Sequence, residues 1–361
     1  MLRKAHIFHH NDADGRFSAF IMYQYLKKYR RQYRKTKFYE IDYVQEIDLD
    51  TIFDQDLIVF LDYSFSNKRN LAALQRAIKA GKEIIWIDHH KSSEEALRAL
   101  NADAYRENII MNNLNVYYDD MFSATKLTYT WALSHILKNK DRADEYLYCE
   151  MPAVFDYINA WDLWKHDKVE KCEEFIYGLE SSPYSPKSLA MDIFGSNTYN
   201  IFVNDPRYIE KMNAWIESKI KIGEIIKADR MSTYSKWIDK MAFVVTIKDE
   251  INCTILKVIA MNVNATSLAF MDLYYQYDFV SPFHQTRDGY WKYSFYSHRK
   301  DVKLDYYAGL LGKCPELGGV SGGGHPSASG AILDKCIWNG NNSTIIIYKS
   351  KFSKKTKIRI E

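Results

Sequence analysis

Ala5-His6-Ile7-Phe8-His9-His10-Asn11-Asp12-Ala13-Asp14-Gly15 decides the reading of this chain: a short strand-like run, Ala5 to Phe8, leads straight into two histidines and two carboxylates. The pattern recurs. Ile58 to Leu61 is followed by Asp62, and Ile84 to Ile87 is followed by Asp88-His89-His90. Short continuous apolar runs bounded by polar residues are the mark of strands buried on both faces of a parallel α/β sheet. In such sheets ligands bind beyond the carboxyl ends of the strands, where these acids and imidazoles would stand. Oxygen and nitrogen donors of this kind suit a hard or borderline divalent cation such as manganese, and the lack of nearby thiolates argues against a structural zinc site. A single Asp after a strand is ordinarily a turn former or a helix cap. Three strands ending in the same chemistry are different, because gathering four or more carboxylates costs like-charge repulsion unless cations neutralise it. The chain therefore reads as a metal-dependent hydrolase.

Working outward, residues from Lys4 to about Asn200 alternate between strand and helix patterns. A helix is expected from about Arg16 to Arg30, strands near Phe38 to Tyr43 and Leu57 to Leu61, and a helix from Ser66 to Ala80 closed by Gly81. That alternation predicts a doubly wound parallel sheet. Helices follow at Ser123 to Lys138 and Met151 to Trp164. Asp205-Pro206 then offers an N-cap and a first-turn proline for a long helix to about Arg230, with Ile209, Met212, Ile216 and Ile220 on one face. Strand patterns at Ala242 to Ile247, Thr254 to Ala260 and Trp291 to Tyr296, with a helix near Val302 to Leu311, make a smaller α/β domain.

The Asp-x-Asp-Gly of Asp12, Asp14 and Gly15, the lone Asp62, Asp88-His89-His90 and Ile158-Asn159-Ala160-Trp161-Asp162-Leu163-Trp164-Lys165 resemble, in order, the four motifs of the DHH phosphoesterases. Gly322-Gly323-Gly324-His325, followed by Pro326 and the small-residue strand Ser327 to Ala331, resembles the signature of the DHHA1 substrate domain. The five together are far more specific than any one of them. The resemblance implies a catalytic domain over 1–204, a helical linker over 205–240 and a substrate-binding domain over 241–361. It implies two manganese ions, with Mg2+ or Co2+ as possible substitutes. One would be held by His9 or His10 with Asp12 and Asp62, the other by Asp14, Asp62, His89 and Asp162. Two cations roughly 3.5–4 Å apart activate a water and take up charge on the phosphoryl oxygens, which accounts for so many ligands. His90 would then stabilise the phosphoryl group and Asp88 would orient a histidine. Adjacent strand residues point to opposite faces, so only one of His9 and His10 should reach the ions; the family's spacing favours His9, and His10 stays open. Asp156, six residues before Asp162, is the rival carboxylate.

In the C-terminal part, Gly322, Gly323 and Gly324 are expected to form a loop that brings amides to an anionic ligand, with His325 and Arg299 gripping phosphate. A flexible turn and a surface salt bridge are the plain alternatives. The glycine loop separates the chain from the pyrophosphatase branch of the superfamily, so nucleotide phosphodiesters are favoured. A compact two-domain chain resembles nanoRNase-like enzymes, which release 5′-mononucleotides from short oligonucleotides. Cyclic or linear dinucleotides and 5′–3′ attack on longer single strands are the alternatives. A nucleotide-binding scaffold without turnover would not need the full ligand set.

Composition agrees with this. The 361 residues, 47% hydrophobic and 26% charged, suffice for two cores, and no apolar stretch approaches the roughly 20 residues that cross a bilayer. The N-terminus shows no signal-peptide pattern, so a cytoplasmic location is expected. Five cysteines, Cys149, Cys172, Cys253, Cys314 and Cys336, form neither a Cys-x-x-Cys pair nor an even framework. The net charge of +3 hides two basic stretches, Lys27, Lys28, Arg30, Arg31, Arg34, Lys35 and Lys37, and Lys349, Lys351, Lys354, Lys355, Lys357 and Arg359. Such runs can hold a phosphate backbone, although a solvated helix end and a charged tail explain them more simply.

Overall fold

A computed structural model of the chain describes all residues except 1–2, 34, 43–44, 49–50, 52–54, 66, 108–110, 139–149, 197–199, 339, 341–342 and 350–355. It divides into two units, Met1–Glu224 and Ile225–Glu361. In chain order the elements of the first unit are β1 (Lys4–His10), α1 (Ala13–Tyr29), β2 (Lys35–Ile41), β3 (Leu57–Leu61), α2 (Lys68–Lys79), β4 (Glu83–Asp88), α3 (Lys91–Glu107), β5 (Leu114–Tyr118), α4 (Ala124–Leu137), α5 (Val154–Asp162), α6 (Cys172–Glu180) and α7 (Leu189–Phe194), followed by α8 (Pro206–Met241), which runs across the boundary into the second.

β1 to β5 form one parallel sheet in the order β2-β1-β3-β4-β5. The apolar runs that mark β1, β3 and β4 are buried on both faces. Ile7, Val59, Leu61, Ile85 and Ile87 join a core with Phe17 and Phe20 of α1, Leu127 and Trp131 of α4 and Phe155 of α5. Phe8, Ile58, Phe60, Ile84 and Trp86 face the other way, onto Leu74 and Ile78 of α2 and Leu100 of α3. Helices cover both faces, and the motif residues lie at the strands' carboxyl ends. Register carries the three motif-bearing strands there together, with His9 opposite Leu61 and Leu61 opposite Ile87.

Several boundaries differ from expectation for local reasons. The second helix begins at Lys68 because the Asn67 side chain caps it, accepting from the Arg69 amide at 2.9 Å; Ser66 and Tyr43 lie outside the described residues. α5 ends at Asp162, ahead of Trp164, which has φ of +54°. β5 escaped the sequence reading because its side chains are only partly buried, so it lacks a continuous apolar run. α8 runs on to Met241 because no proline or glycine interrupts residues 231–241. Among the described residues no helix is long and apolar enough to cross a membrane. Cys172, Cys253, Cys314 and Cys336 are free thiols, and Cys149, Arg34, Lys351, Lys354 and Lys355 lie outside the described residues.

Beyond α8 come β6 (Phe243–Asp249), β7 (Thr254–Asn262), β8 (Phe279–Gln285), β9 (Trp291–Tyr296), α9 (Leu304–Gly312), β10 (Gly319–His325), β11 (Ala328–Leu333), β12 (Thr344–Lys349) and β13 (Thr356–Ile360). They form a mixed sheet in the order β10-β11-β9-β8-β7-β6-β12-β13, with Val258, Phe279, Phe295, Leu304 and Leu311 in its core. The expected glycine loop is a correction: Gly322, Gly323, Gly324 and His325 belong to the edge strand β10, paired antiparallel with β11. Gly322 has a packing reason, since a Cβ there would come within 1.9 Å of the Ala308 carbonyl oxygen, and only glycine lets the strand lie so close to α9.

Candidate metal centre

β1 delivers His9 and His10 to the rim and the chain turns at once into α1. Asp12 makes that turn possible, accepting the Gly15 amide at 2.9 Å as the N-cap. Its other oxygen accepts from His10 Nδ1 at 2.6 Å. Gly15 sits so close to β1 that a Cβ would lie 2.3 Å from the His10 carbonyl oxygen. Gly15→Ala is therefore expected to destabilise the fold by about 1–3 kcal/mol, the usual cost of overpacking, read by denaturant unfolding; an unchanged midpoint would show that α1 can shift without strain.

β3 ends differently. Asp62 has φ of +55°, the left-handed region that few residues other than glycine, Asn and Asp enter, and its amide donates to the Ile87 carbonyl at 3.0 Å. Its side chain is fully buried, and neither carboxylate oxygen has a hydrogen-bond partner. Around it, three overlapping groups have donor atoms within 4.8 Å of one another: His10, Asp12 and Asp62; Asp14, His89 and Asp162; and Asp62, Asp88, His89 and His90. His89 Nε2 stands 3.3 Å from Asp62 Oδ1, 3.2 Å from Asp162 Oδ2 and 3.8 Å from Asp14 Oδ2. Despite that proximity, His89 Nε2, both Asp62 oxygens and Asp162 Oδ2 are buried without a hydrogen bond.

Each such orphaned atom costs on the order of 1–3 kcal/mol, and four converging on one spot fit a bound divalent cation. Oxygen and imidazole donors without thiolate are the set a hard or borderline ion prefers. The electrostatics agree: burial and then the charges of Asp12, Asp14 and Asp162 push the Asp62 carboxyl well above the usual carboxylate range. Burial and the charges of Asp14 and Asp12 do the same to Asp162. Positive charge placed here would relieve both.

The remaining acids are held by partners. Asp14 is raised chiefly by burial, yet its oxygens accept the Ala124 and Thr125 amides at 2.7 and 2.8 Å, so it caps α4 from 110 residues away. Asp88 accepts His90 Nδ1 at 2.8 Å and the Ser93 hydroxyl. Burial alone would raise Asp88, but the charge and hydrogen bond of His90 outweigh it and hold the carboxyl low. His10 does the same for Asp12, against burial.

The structure brings together His10, Asp12, Asp14, Asp62, Asp88, His89, His90 and Asp162. His9 stands outside these groups: its Nδ1 donates to the His10 carbonyl at 2.8 Å, its ring meets the edge of Phe38, and burial pushes its pKa below the usual range. Asp156 pairs with Lys126 at 2.5 Å and also lies outside them. Asn159, Ser93 and the α4 amides were missed from sequence. Asn159 Oδ1 accepts the Ser123 amide at 2.9 Å, tying the fourth motif to the start of α4. Ser93, a capping-type residue just after His90, was visible as a signal; the others were not.

In the second unit His325 pairs with Ala328, and Ala328 with Tyr296, so the ends of β10 and β9 lie on either side of the start of β11. Arg299 follows three residues after Tyr296 and is ion-paired with Asp278 and with Asp301 at 2.5 Å.

The DHH family, N-terminal domain, matches residues 4–149. No curated protein matches the chain. Among solved structures, RecJ in complex with Mn2+ from Thermus thermophilus is similar at 13% identity and a TM-score of 0.44, covering 92% of this chain and 50% of that one. An exonuclease RecJ bound to manganese is similar at 13% identity, covering 92% and 86%, with a TM-score of 0.43. CDC45 from Entamoeba histolytica is similar at 8% identity, covering 92% of both chains, with a TM-score of 0.41. The chain spans half the length of the first of these. Residues 4–149 thus match the DHH family, N-terminal domain.

Proposed function

We propose that the chain is a metal-dependent phosphoesterase that hydrolyses short oligonucleotides to 5′-mononucleotides, with residues 1–204 catalytic, 205–240 a linker and 241–361 binding substrate. One observation carries the reading: Asp62 links two of the three acid and imidazole groups and His89 links two, and Asp62 Oδ1, Asp62 Oδ2 and His89 Nε2 are buried without hydrogen bonds. Asp62 is assigned as the ligand common to two divalent cations, and His89 as a ligand of the second. His10 and Asp12 complete one set, Asp14 and Asp162 the other. Manganese is the proposed ion, with Mg2+ or Co2+ as substitutes, by the donor chemistry alone. The chemistry such a pair supplies when bound is an acidified water and neutralisation of charge on the phosphoryl oxygens.

The chain's own residues do the rest. Asp88, itself held by Ser93, fixes the His90 ring through Nδ1. That orients His90, whose side chain is 27% exposed, to donate to a phosphoryl oxygen. In the C-terminal unit, Arg299, the Gly322, Gly323 and Gly324 backbone and His325 are the proposed contacts for a distal phosphate or base; what supports this is that His325 and Tyr296 flank Ala328 and Arg299 follows three residues after Tyr296.

The test is product analysis with manganese on linear di- to pentanucleotides, cyclic di-AMP, cyclic di-GMP, a long 5′-phosphorylated single strand and pyrophosphate. Fastest release of mononucleotides from the short linear species is the expected result. Preference for a cyclic dinucleotide or the long strand would replace the substrate, and no turnover of any phosphodiester would overturn the reading.

A further inference from the structure

α5 carries Asp162 in its last turn, and three backbone hydrogen bonds close that turn. The Leu163 amide donates to the Asn159 carbonyl at 3.1 Å, the Trp164 amide to the Trp161 carbonyl at 3.1 Å and the Lys165 amide to the Ala160 carbonyl at 2.7 Å. Trp164 itself stands at φ of +54°. This is a Schellman closure, whose left-handed position is ordinarily glycine because a side chain enters that region only at a cost. The same chain shows the ordinary form at the end of α2. There the Gly81 amide donates to Ile78 and the Lys82 amide to Ala77, with Gly81 at φ of +69° and open space where a Cβ would stand. α7 likewise ends on Gly195, at φ of +68°. Among the described residues Trp164 is the one aromatic residue with positive φ.

What the backbone loses here the indole has to return. Trp161 packs against the core shared by α1 and α4, and Trp164 is not a member of that core. Its ring lies instead 6.3 Å from that of Trp161, 23° from parallel, and 5.9 Å from the ring of His166, which is also 5.9 Å from Trp161. His166 opens the single turn His166–Lys168, and its Nε2 stands 3.7 Å from Glu173 of α6. Three rings thus gather at the end of α5, one just before Asp162 and two after it. The plain explanation is that ring contacts offset the strain and steady the helix end. Asp162 gives that helix end a further role. The Asp14 carboxylate is held by two amides, Asp12 by the Gly15 amide and His10, and Asp88 by His90 and Ser93. Asp162 Oδ2 is buried without a hydrogen bond, 3.2 Å from His89 Nε2, at the negative pole of its helix, which disfavours a carboxylate. Its place is therefore set by the backbone that carries it.

Resting on the proposed metal centre, we infer that Trp164 is a positioning residue for Asp162: its indole, set against Trp161 and His166, fixes the last turn of α5 so that Asp162 meets the second cation beside Asp14 and His89. The strained backbone at residue 164 is kept because glycine would close the helix without supplying the ring.

The test compares Trp164→Gly, Trp164→Asn and Trp164→Phe, with Trp164→Gly also made in an Asp162→Asn background. Gly and Asn both tolerate the left-handed region and lack the ring, so either one carries the test if the other fails to fold. Manganese affinity is read by electron paramagnetic resonance without substrate, stability by urea unfolding in EDTA, and KM and kcat by dinucleotide hydrolysis at saturating manganese. Outer residues that orient metal ligands cost about 10–100-fold in metal affinity when removed, and the two ringless variants are expected to lose that much. Trp164→Phe should restore most of it, and KM should stay unchanged. In the Asp162→Asn background Trp164→Gly should add less than about two-fold, because the residue it acts through is already disabled. Unchanged manganese affinity with altered stability alone would overturn the inference and leave Trp164 as a helix cap. A raised KM with unchanged manganese affinity would overturn it in favour of a contact with substrate, and a full loss recurring in the Asp162→Asn background would overturn it as well. No manganese binding by the wild type would overturn the metal centre and this inference together. The expected losses of affinity in a wild type that binds manganese but hydrolyses nothing would support the inference and count against the phosphoesterase reading alone.

Discussion

Asp62→Asn removes turnover while leaving the fold in place. Asp62 belongs to two of the three donor groups and offers two buried oxygens with no other partner. Losing its charge should cost the several kcal/mol that bound cations contribute to phosphoryl transfer, about 10³-fold or more in kcat/KM. Asn is the informative replacement because residue 62 lies in the left-handed region at φ of +55°. Asn tolerates that conformation, whereas Ala would add about 1–2 kcal/mol of backbone strain. In EDTA the variant should be at least as stable as the wild type, because a carboxylate crowded by Asp12, Asp14, Asp162 and Asp88 has become neutral. Manganese at about 100 times its Kd should stabilise the wild type by about 2.7 kcal/mol and the variant much less. Thermal unfolding with and without manganese, beside single-turnover hydrolysis, reads both effects. A variant that retains the manganese shift and the rate would remove Asp62 from the centre.

His10→Gln and His9→Gln should separate sharply. His10 lies with Asp12 and Asp62, its Nδ1 2.6 Å from one carboxylate and 3.8 Å from the other. His9 spends its Nδ1 proton on the His10 carbonyl, with its ring against Phe38. Residues that merely orient ligands cost about 10–100-fold when removed, so a direct ligand should cost at least the upper end of that range. His10→Gln is expected to lose about 100-fold or more in kcat/KM and to weaken manganese binding. His9→Gln should stay within about ten-fold, its deficit appearing in stability. The reverse order would assign His9 as the ligand.

These two residues also mark where sequence reading stops. The parallel sheet was legible because β1, β3 and β4 are so short and apolar that only burial on both faces explains them. The acids at their ends were legible because strand termini converge in such a sheet. Alternation along β1 says that His9 and His10 point apart, but not which face meets Asp62, since that depends on how β1 seats against α1. The family's spacing favoured His9, and the geometry groups His10 with the carboxylates instead. The left-handed backbone at Asp62 carried no signal, because Asp is common after strands for unrelated reasons. Gly322 misled for a similar cause: glycine serves both loops and close packing, and here a strand lies against α9. Asp162 could be separated from Asp156 only in three dimensions, where Lys126 claims the latter.

The two amides that hold Asp14 give the centre a reporter of its own. Ala124 and Thr125 donate to a carboxylate 110 and 111 residues earlier in the chain. No local helix formation can protect those two protons, because the first amides of a helix have no carbonyl of their own to bond. Their exchange with deuterium therefore follows the opening of the contact between α1 and α4, and so the assembly of a centre whose parts lie far apart along the chain. Joining such distant segments carries the loop-closure cost that slows folding, and these amides would time that step without any substrate being turned over.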